Sequence, residues 1–396
     1  MTGSAVATVY TTGTFTIPLM KKGGFNEEFS GAVSAVASTG GQLMPPIMGA
    51  AAFLLADNLS ITYGTVAAKS AIVAILYYFA LFSMIHFKCL KEDIHGEEPE
   101  DLPKLKDVVK KSYLFIPIVL LLVLLLVGVS TLLSGLYATI ACIVVSMFDK
   151  ETRMTPKKLI KALYSGGKSS AMCMAALGGA GLIVVGVTYS GLALSFSSLV
   201  VSLSHGVKFF ALLLIAVACM ILGMGVPSTA AYVISSALGC RMLVRLGVSP
   251  FAAHMFVFYF SIISNITPPV AVAAYAAANV ANSNPMKTGV QASLMAIVAY
   301  VVPFVAAYNP ALLMEGTPLT IVQSTITAFI GVFVIAGAVQ GYFMGNLNWL
   351  KRIILFVISF GFISVGTVTD IVGLGLLVMF IIYQKFFGNK KREITT

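Results

Sequence analysis

Ser38-Thr-Gly-Gly-Gln-Leu-Met-Pro-Pro46 returns 223 residues later as Ser261-Ile-Ile-Ser-Asn-Ile-Thr-Pro-Pro269, and both copies stand inside apolar runs. Proline removes a backbone donor and restricts the residue before it. In hydrocarbon, the amides and carbonyls freed by such a break survive only where they line a protein cavity. Interrupted helices at matching positions of two halves are the best sequence pointer to the central site of a transporter. The pattern predicts a transport protein.

The composition places those runs in a membrane. The chain is 58% hydrophobic and 10% charged, with a mean hydropathy of +0.96, whereas a soluble domain carries roughly 25% charged residues. Stretches of spanning length, about 17–25 residues, are read at 67–87, 113–129, 131–148, 169–188, 207–223, 287–308, 319–341, 352–367 and 371–384. The two interrupted helices add further crossings. The expected class is an all-α polytopic membrane protein.

A net charge of +10 could suggest a nucleic-acid partner, but its placement argues against one. Lys21-Lys22, the loops 88–111 and 150–168, Lys287, Lys351-Arg352 and the tail 385–392 fall on one inferred side. Only Lys69, Lys208, Arg241 and Arg245 remain for the other. This is the positive-inside pattern, with the C-terminus cytoplasmic. Loop 88–112 mixes its lysines with Glu97, Glu98, Glu100, Asp101 and Asp107, as a solvated linker does. Cys89, Cys142, Cys173, Cys219 and Cys240 are scattered and form neither a CxxC pair nor a disulfide framework, so they read as packing residues.

Sliding the chain by 223 aligns its halves without a gap. Lys22 falls on Arg245, Gly24 on Gly247, Ser38 on Ser261 and Pro45-Pro46 on Pro268-Pro269. Each unit reads as a small-residue tip, a half-length helix, a basic glycine-ended turn and a broken helix. Counting spans puts the two turns on opposite sides, which predicts an inverted repeat. The second tip, 223–228, follows a complete limb at about 207–222. Nothing equivalent precedes the tip at Met1–Ser4, so the chain is expected to lack that limb and the helices upstream of it.

Gly3-Ser-Ala-Val-Ala7, Thr11-Thr-Gly13, the string Ser38–Phe53, Gly223-Met-Gly-Val-Pro-Ser228 and Thr267-Pro-Pro-Val270 resemble the large membrane subunit of TRAP (tripartite ATP-independent periplasmic) transporters. They are most similar to the fused branch that works with TAXI-type binding proteins. The resemblance implies an elevator-type carrier in the cytoplasmic (inner) membrane of a bacterium or archaeon. It implies import of a small carboxylate-bearing solute from a periplasmic solute-binding protein, with Na+ as coupling ion and a small membrane subunit or its missing N-terminal equivalent as partner.

Two tips and two breaks converging at mid-membrane would suit that task. Helix N-termini offer free amides to a carboxylate, and unwound carbonyls and hydroxyls are hard oxygen ligands for Na+. Candidate sodium ligands are Gly3, Ser4, Ser38, Gly40 and Gly41 in the first unit, and Gly225, Ser228, Thr229, Asn265 and Thr267 in the second. Gln42 and Asn265 occupy equivalent positions and are expected to face the solute, beside Pro45 and Pro268. The competing reading is that serines and threonines bond their own helix carbonyls and glycines serve close packing.

Proton carriers usually hold an acid or histidine at membrane depth. Here Asp57, Glu315 and Asp370 fall at span ends, and His86, His95 and His205 in loops or at boundaries. His254 reads as a satisfied histidine, so sodium is favoured over a proton-linked carrier. No catalytic set or phosphate loop marks an enzyme or an ATP-driven pump. A truncated, non-functional fragment is the remaining alternative. The expected organisation is first-repeat transport elements in 1–64, scaffold helices in 65–168, second-repeat transport elements in 169–308 and C-terminal spans in 309–396. Lys157–Tyr164 is basic and amphipathic and is expected to lie in the interface, and Pro117 and Pro303 are expected to kink spans.

Overall fold

A computed structural model of the chain describes residues 3–94, 109, 111–148, 152–363 and 367–387. Met1, Thr2, His95, the acids between Glu97 and Asp107, and the tail after Phe387 lie outside them. The described residues are almost entirely helical, with one isolated bridge between Tyr342 and Asn346. Four stretches are long and apolar enough to cross a membrane: Tyr63–Glu92, Pro285–Tyr308, Pro318–Gln340 and Thr369–Phe386. Large apolar side chains such as Phe82, Leu132 and Leu319 are exposed along the helices, as a lipid-facing surface requires. The protein is an all-α, multi-pass membrane protein.

Several spans differ from their expected form. The runs at 113–129 and 131–148 form short helices, Ile116–Leu126 and Thr131–Ser146. Gly128, at φ +90°, ends the first. Pro117 sits in the opening turn of that helix and starts it instead of kinking it, because its missing N–H is unneeded there. Pro303 does lie inside a helix, Ile297–Tyr308. Lys157–Tyr164 is no separate interfacial helix but the opening of one 34-residue helix, Pro156–Tyr189. That helix meets the next, at 194–204, with a bend of 73°.

The repeat is visible in local chemistry. Asn26 caps Glu27–Gly40 by accepting from the amide of Phe29 at 2.7 Å. Ser249, 223 positions on, caps Pro250–Ile263 by accepting from Ala252. Gly24 and Gly247, also 223 apart, hold φ of +101° and +77° in the turns before them, a conformation that glycine adopts without a steric penalty. Both proline–proline bonds are cis. Past the prolines the ungapped alignment fails by one residue. The left-handed caps Ser60 and Asn282, and the next N-caps Thr62 and Asn284, are 222 apart. The second break starts with a 3-10 turn, Ser264–Ile266, and is one residue shorter between its proline pair and the next helix cap.

The two units exchange partners. The limb at 5–22 packs on Val272–Ala281, the second half of the other unit's broken helix, and Ser228–Arg245 packs on Ala51–Leu59. Glu27–Gly40 also packs on Val272–Ala281, where small residues permit close approach. A Cβ on Gly31 would lie 3.4 Å from that of Ala281. Lysines cap the ends of these helices: Lys21 donates to the Ala281 carbonyl, Lys91 to Gln340 and Lys208 to Ala307, where the helix dipole favours a cation.

Tyr63–Glu92 locks the first break. Tyr77 donates to the Val36 carbonyl at 2.7 Å and Tyr78 to Ala37 at 2.8 Å. A Cβ on Gly40 would lie 2.3 Å from a Tyr77 ring carbon. Gly40→Ala is therefore expected to lower the thermal midpoint in detergent, at a cost of about 1–3 kcal/mol for overpacking. A midpoint equal to wild type would show that Tyr77 can move aside.

Candidate functional site

Each hairpin tip rests on the break of its own unit. Gly3, at φ +70°, places its α-carbon where an added Cβ would be 3.2 Å from the Met48 carbonyl. In the second unit, a Cβ on Gly223 would fall 2.5 Å from Ser264 Oγ and 3.4 Å from the Ser261 carbonyl. Gly225, at φ +73°, faces Val270. These contacts gather Gly3, Gln42 and Gly49 at one break, and Gly223, Gly225, Ser264 and Asn265 at the other.

The breaks are held open by hydrogen bonds that the helices no longer supply. The Gly49 amide donates to the Gln42 carbonyl at 2.7 Å, closing the first break into a loop. Its lack of a side chain is needed, since a Cβ would lie 3.2 Å from Gln42 Cβ. The carbonyl of each second proline accepts a phenol: Tyr63 to Pro46 at 2.8 Å, and Tyr275 to Pro269 at 2.6 Å. Ser293 donates to the Ile266 carbonyl. Pro45 lines an apolar cavity of about 220 Å³ with Tyr63, Leu122 and Leu125, while Pro268 packs against Gly289.

Asn26, Thr62, Ser249 and Asn284 cap their helices with a side chain, as Ser4 does at the first tip. Ala50, Pro227 and Ala271, which precede Ala51–Leu59, Ser228–Arg245 and Val272–Ala281 at the two breaks and the second tip, provide none. Ala271 is buried, whereas Ala50 and Pro227 are exposed. These three N-termini lack a side-chain acceptor for their first amides, an arrangement suited to an anion.

The predicted ligands separate under the same scrutiny. Gln42 and Thr39 are buried, and neither Gln42 Oε1 nor Thr39 Oγ1 has a hydrogen-bond partner among the described residues. Leaving such an atom unpaired costs about 1–3 kcal/mol. Thr39 was not among the expected ligands; the signal was its place between Ser38 and Gly40, which the sequence made no different from its neighbours. Ser38 is buried in the same turn. Gly40 and Gly41 serve close packing, against Tyr77 and the Ser38 carbonyl respectively, and the Gly40 carbonyl already accepts from Leu43 and Met44.

Ser4 is the N-cap of the first limb and accepts from Ala7. Ser228 opens its helix and Thr229 is buried beside it. The Asn265 amide donates to the Ile262 carbonyl. Thr267, expected as a sodium ligand, donates its proton to Ile263 at 2.8 Å and lies 2.6 Å from Tyr300 Oη, which leaves its oxygen at most one lone pair for a cation. Ser261 and Ser264 likewise bond back to Val257 and Ser261. Back-bonding is thus seen at Ser261, Ser264 and Thr267, while Gln42, Thr39 and, in the second unit, Ser235 keep a buried oxygen without a partner among the described residues. His254 is satisfied as expected, with Nδ1 2.7 Å from Tyr232 Oη.

A family model described as the tripartite ATP-independent periplasmic transporter, DctM component, matches residues 1–317. The chain belongs to this family. The match takes in both broken helices and hairpin two, and ends just before Pro318–Gln340. No curated protein matches the chain. As a DctM component it is the large membrane subunit of a TRAP transporter, a secondary transporter that also uses a periplasmic binding protein and a small membrane subunit.

The docking of tip two on its break yields a direct check. Gly223→Ala is expected to lower the thermal midpoint, because its new methyl group meets Ser264 within 3.0 Å. Adding Ser264→Gly should restore most of the loss. An equal loss in the double variant would place the strain elsewhere.

Proposed function

We propose that this DctM-family subunit imports a small carboxylate-bearing solute with Na+ as coupling ion, taking the solute from a TAXI-like periplasmic binding protein. The unpaired oxygens of Gln42 and Thr39 beside the first break carry this reading. Buried neutral oxygens at the end of a helix are the donors a small hard cation takes. The helix N-termini at Ala51, Ser228 and Val272 supply the positive dipole ends for the solute carboxylate. Asn265 and the carbonyls around Gly225 complete the second half-site, and Ser38 and Ser228 add hydroxyls to the two ion sites.

In this reading the tips and broken helices move as one body. The limb at 5–22, both broken helices and Lys208–Arg245 exchange contacts across the repeat, whereas Tyr63–Glu92 packs chiefly on Pro318–Gln340 and belongs with the frame, its tyrosines meeting the first break. The elements at 111–148 and 318–387 form the rest of the frame. The basic face that holds Lys21, Lys91 and Arg352 is cytoplasmic.

The test is uptake into proteoliposomes holding the subunit with its binding protein and small subunit. Gln42→Leu should raise the half-saturating sodium concentration about tenfold, equivalent to ~1.4 kcal/mol, without loss of inserted protein. Ser228→Ala with Asn265→Ala should do the same at the second half-site. Sodium dependence unchanged in both variants would sink the assignment. Uptake driven by a pH gradient in sodium-free buffer would favour a proton-linked carrier.

A further inference from the structure

Four cations occupy the face where hairpin two opens: Lys69, Lys208, Arg241 and Arg245. Two of them are matched. Lys69 pairs with Glu315 at 2.7 Å and lies over the Phe251 ring. Lys208 donates to the Ala307 carbonyl and lies 4.7 Å from the centre of the Tyr308 ring. Arg241 and Arg245 have no carboxylate within ion-pair distance among the described residues. Four residues apart on Ser228–Arg245, they share one helix face. Both line a cavity of about 310 Å³, closed on its far side by the end of Pro156–Tyr189 and by the start of Leu192–Ser204.

The rest of the lining identifies the occupant. Thr188 and Ser197 bring hydroxyls to the same cavity, while Leu194 and Leu238 make its apolar wall. Tyr189, one residue beyond Thr188, is 89% exposed, as tyrosines are at the headgroup level of a bilayer. Two guanidiniums can hold a phosphate by paired N–H donors, and the Ser197 hydroxyl can donate to a remaining oxygen, whereas Thr188 donates to the Val184 carbonyl at 2.8 Å. An apolar wall beside them suits the glycerol end of a lipid more than a hydrated free ion.

We propose that this cavity binds the phosphate of an anionic phospholipid, held by Arg241 and Arg245. The headgroup bridges the outer limb of hairpin two to the two helices that flank it, so bound lipid restrains that hairpin. The assignment needs only the membrane location of the chain and stands apart from the sodium and carboxylate reading.

Native mass spectrometry of the purified full chain, offered phosphatidylglycerol and phosphatidylcholine, tests it. Wild type should retain one phosphatidylglycerol at activation energies that strip phosphatidylcholine. Arg241→Gln with Arg245→Gln should cut that retention at least tenfold. Ala237→Glu, which sets a carboxylate against both arginines in the cavity lining, should also release the lipid while keeping the guanidiniums. Equal retention of the two lipids by wild type, or undiminished phosphatidylglycerol in both variants, would overturn the proposal. Displacement of the lipid by millimolar inorganic phosphate would overturn it too, and would assign the arginines to a free oxyanion.

Discussion

A helix that stops halfway through a bilayer must find donors for its last carbonyls and acceptors for its next amides, and the fold is arranged around meeting that demand. Phenols do most of it. Tyr77 and Tyr78 take the carbonyls at the end of Glu27–Gly40, Tyr63 and Tyr275 take those of the second prolines, and Tyr300 closes on Thr267. A tyrosine suits the task because its ring is at home among apolar side chains while one hydroxyl reaches the backbone. The glycines follow from the tyrosines. Gly40 is bare because the Tyr77 ring occupies the position its side chain would need.

What the breaks leave unpaired is as telling as what they satisfy. Asn26, Thr62, Ser249 and Asn284 finish their helices with side-chain caps. At the two breaks and the second tip the corresponding positions are Ala50, Ala271 and Pro227, which offer none. Together with the free oxygens of Gln42 and Thr39, these ends concentrate unspent polarity where the two units meet. In the proposed transport site these ends would replace the water around a bound anion with fixed backbone dipoles.

Much of this was legible in the chain. The proline pairs, the left-handed Gly24 and Gly247 and the offset of 223 marked both broken helices and the turns before them, because local backbone chemistry decides those features. The tyrosines were not legible. Tyr77 reaches Val36 across 41 positions, and no local pattern marks a phenol as serving a distant carbonyl. Thr267 and Gln42 looked alike as polar residues at a break, and only the approach of Tyr300 distinguishes a spent hydroxyl from a free amide oxygen. The one-residue slip after the prolines shows only once the left-handed caps Ser60 and Asn282 are placed. The continuity of Pro156–Tyr189 was hidden by its change from basic to apolar halfway along.

The unequal fates of Asn265 and Gln42 bear on energetics as well as on ligands. Two strictly identical halves, related by inversion, would make a carrier whose two facing states are degenerate, so that an empty molecule would wait on either side of the membrane equally often. At the matched pair, the Asn265 amide donates to its own helix carbonyl at Ile262, whereas Gln42 keeps a bare oxygen. In the proposed carrier that inequality would lift the degeneracy and give the empty molecule a preferred side on which to wait for its load.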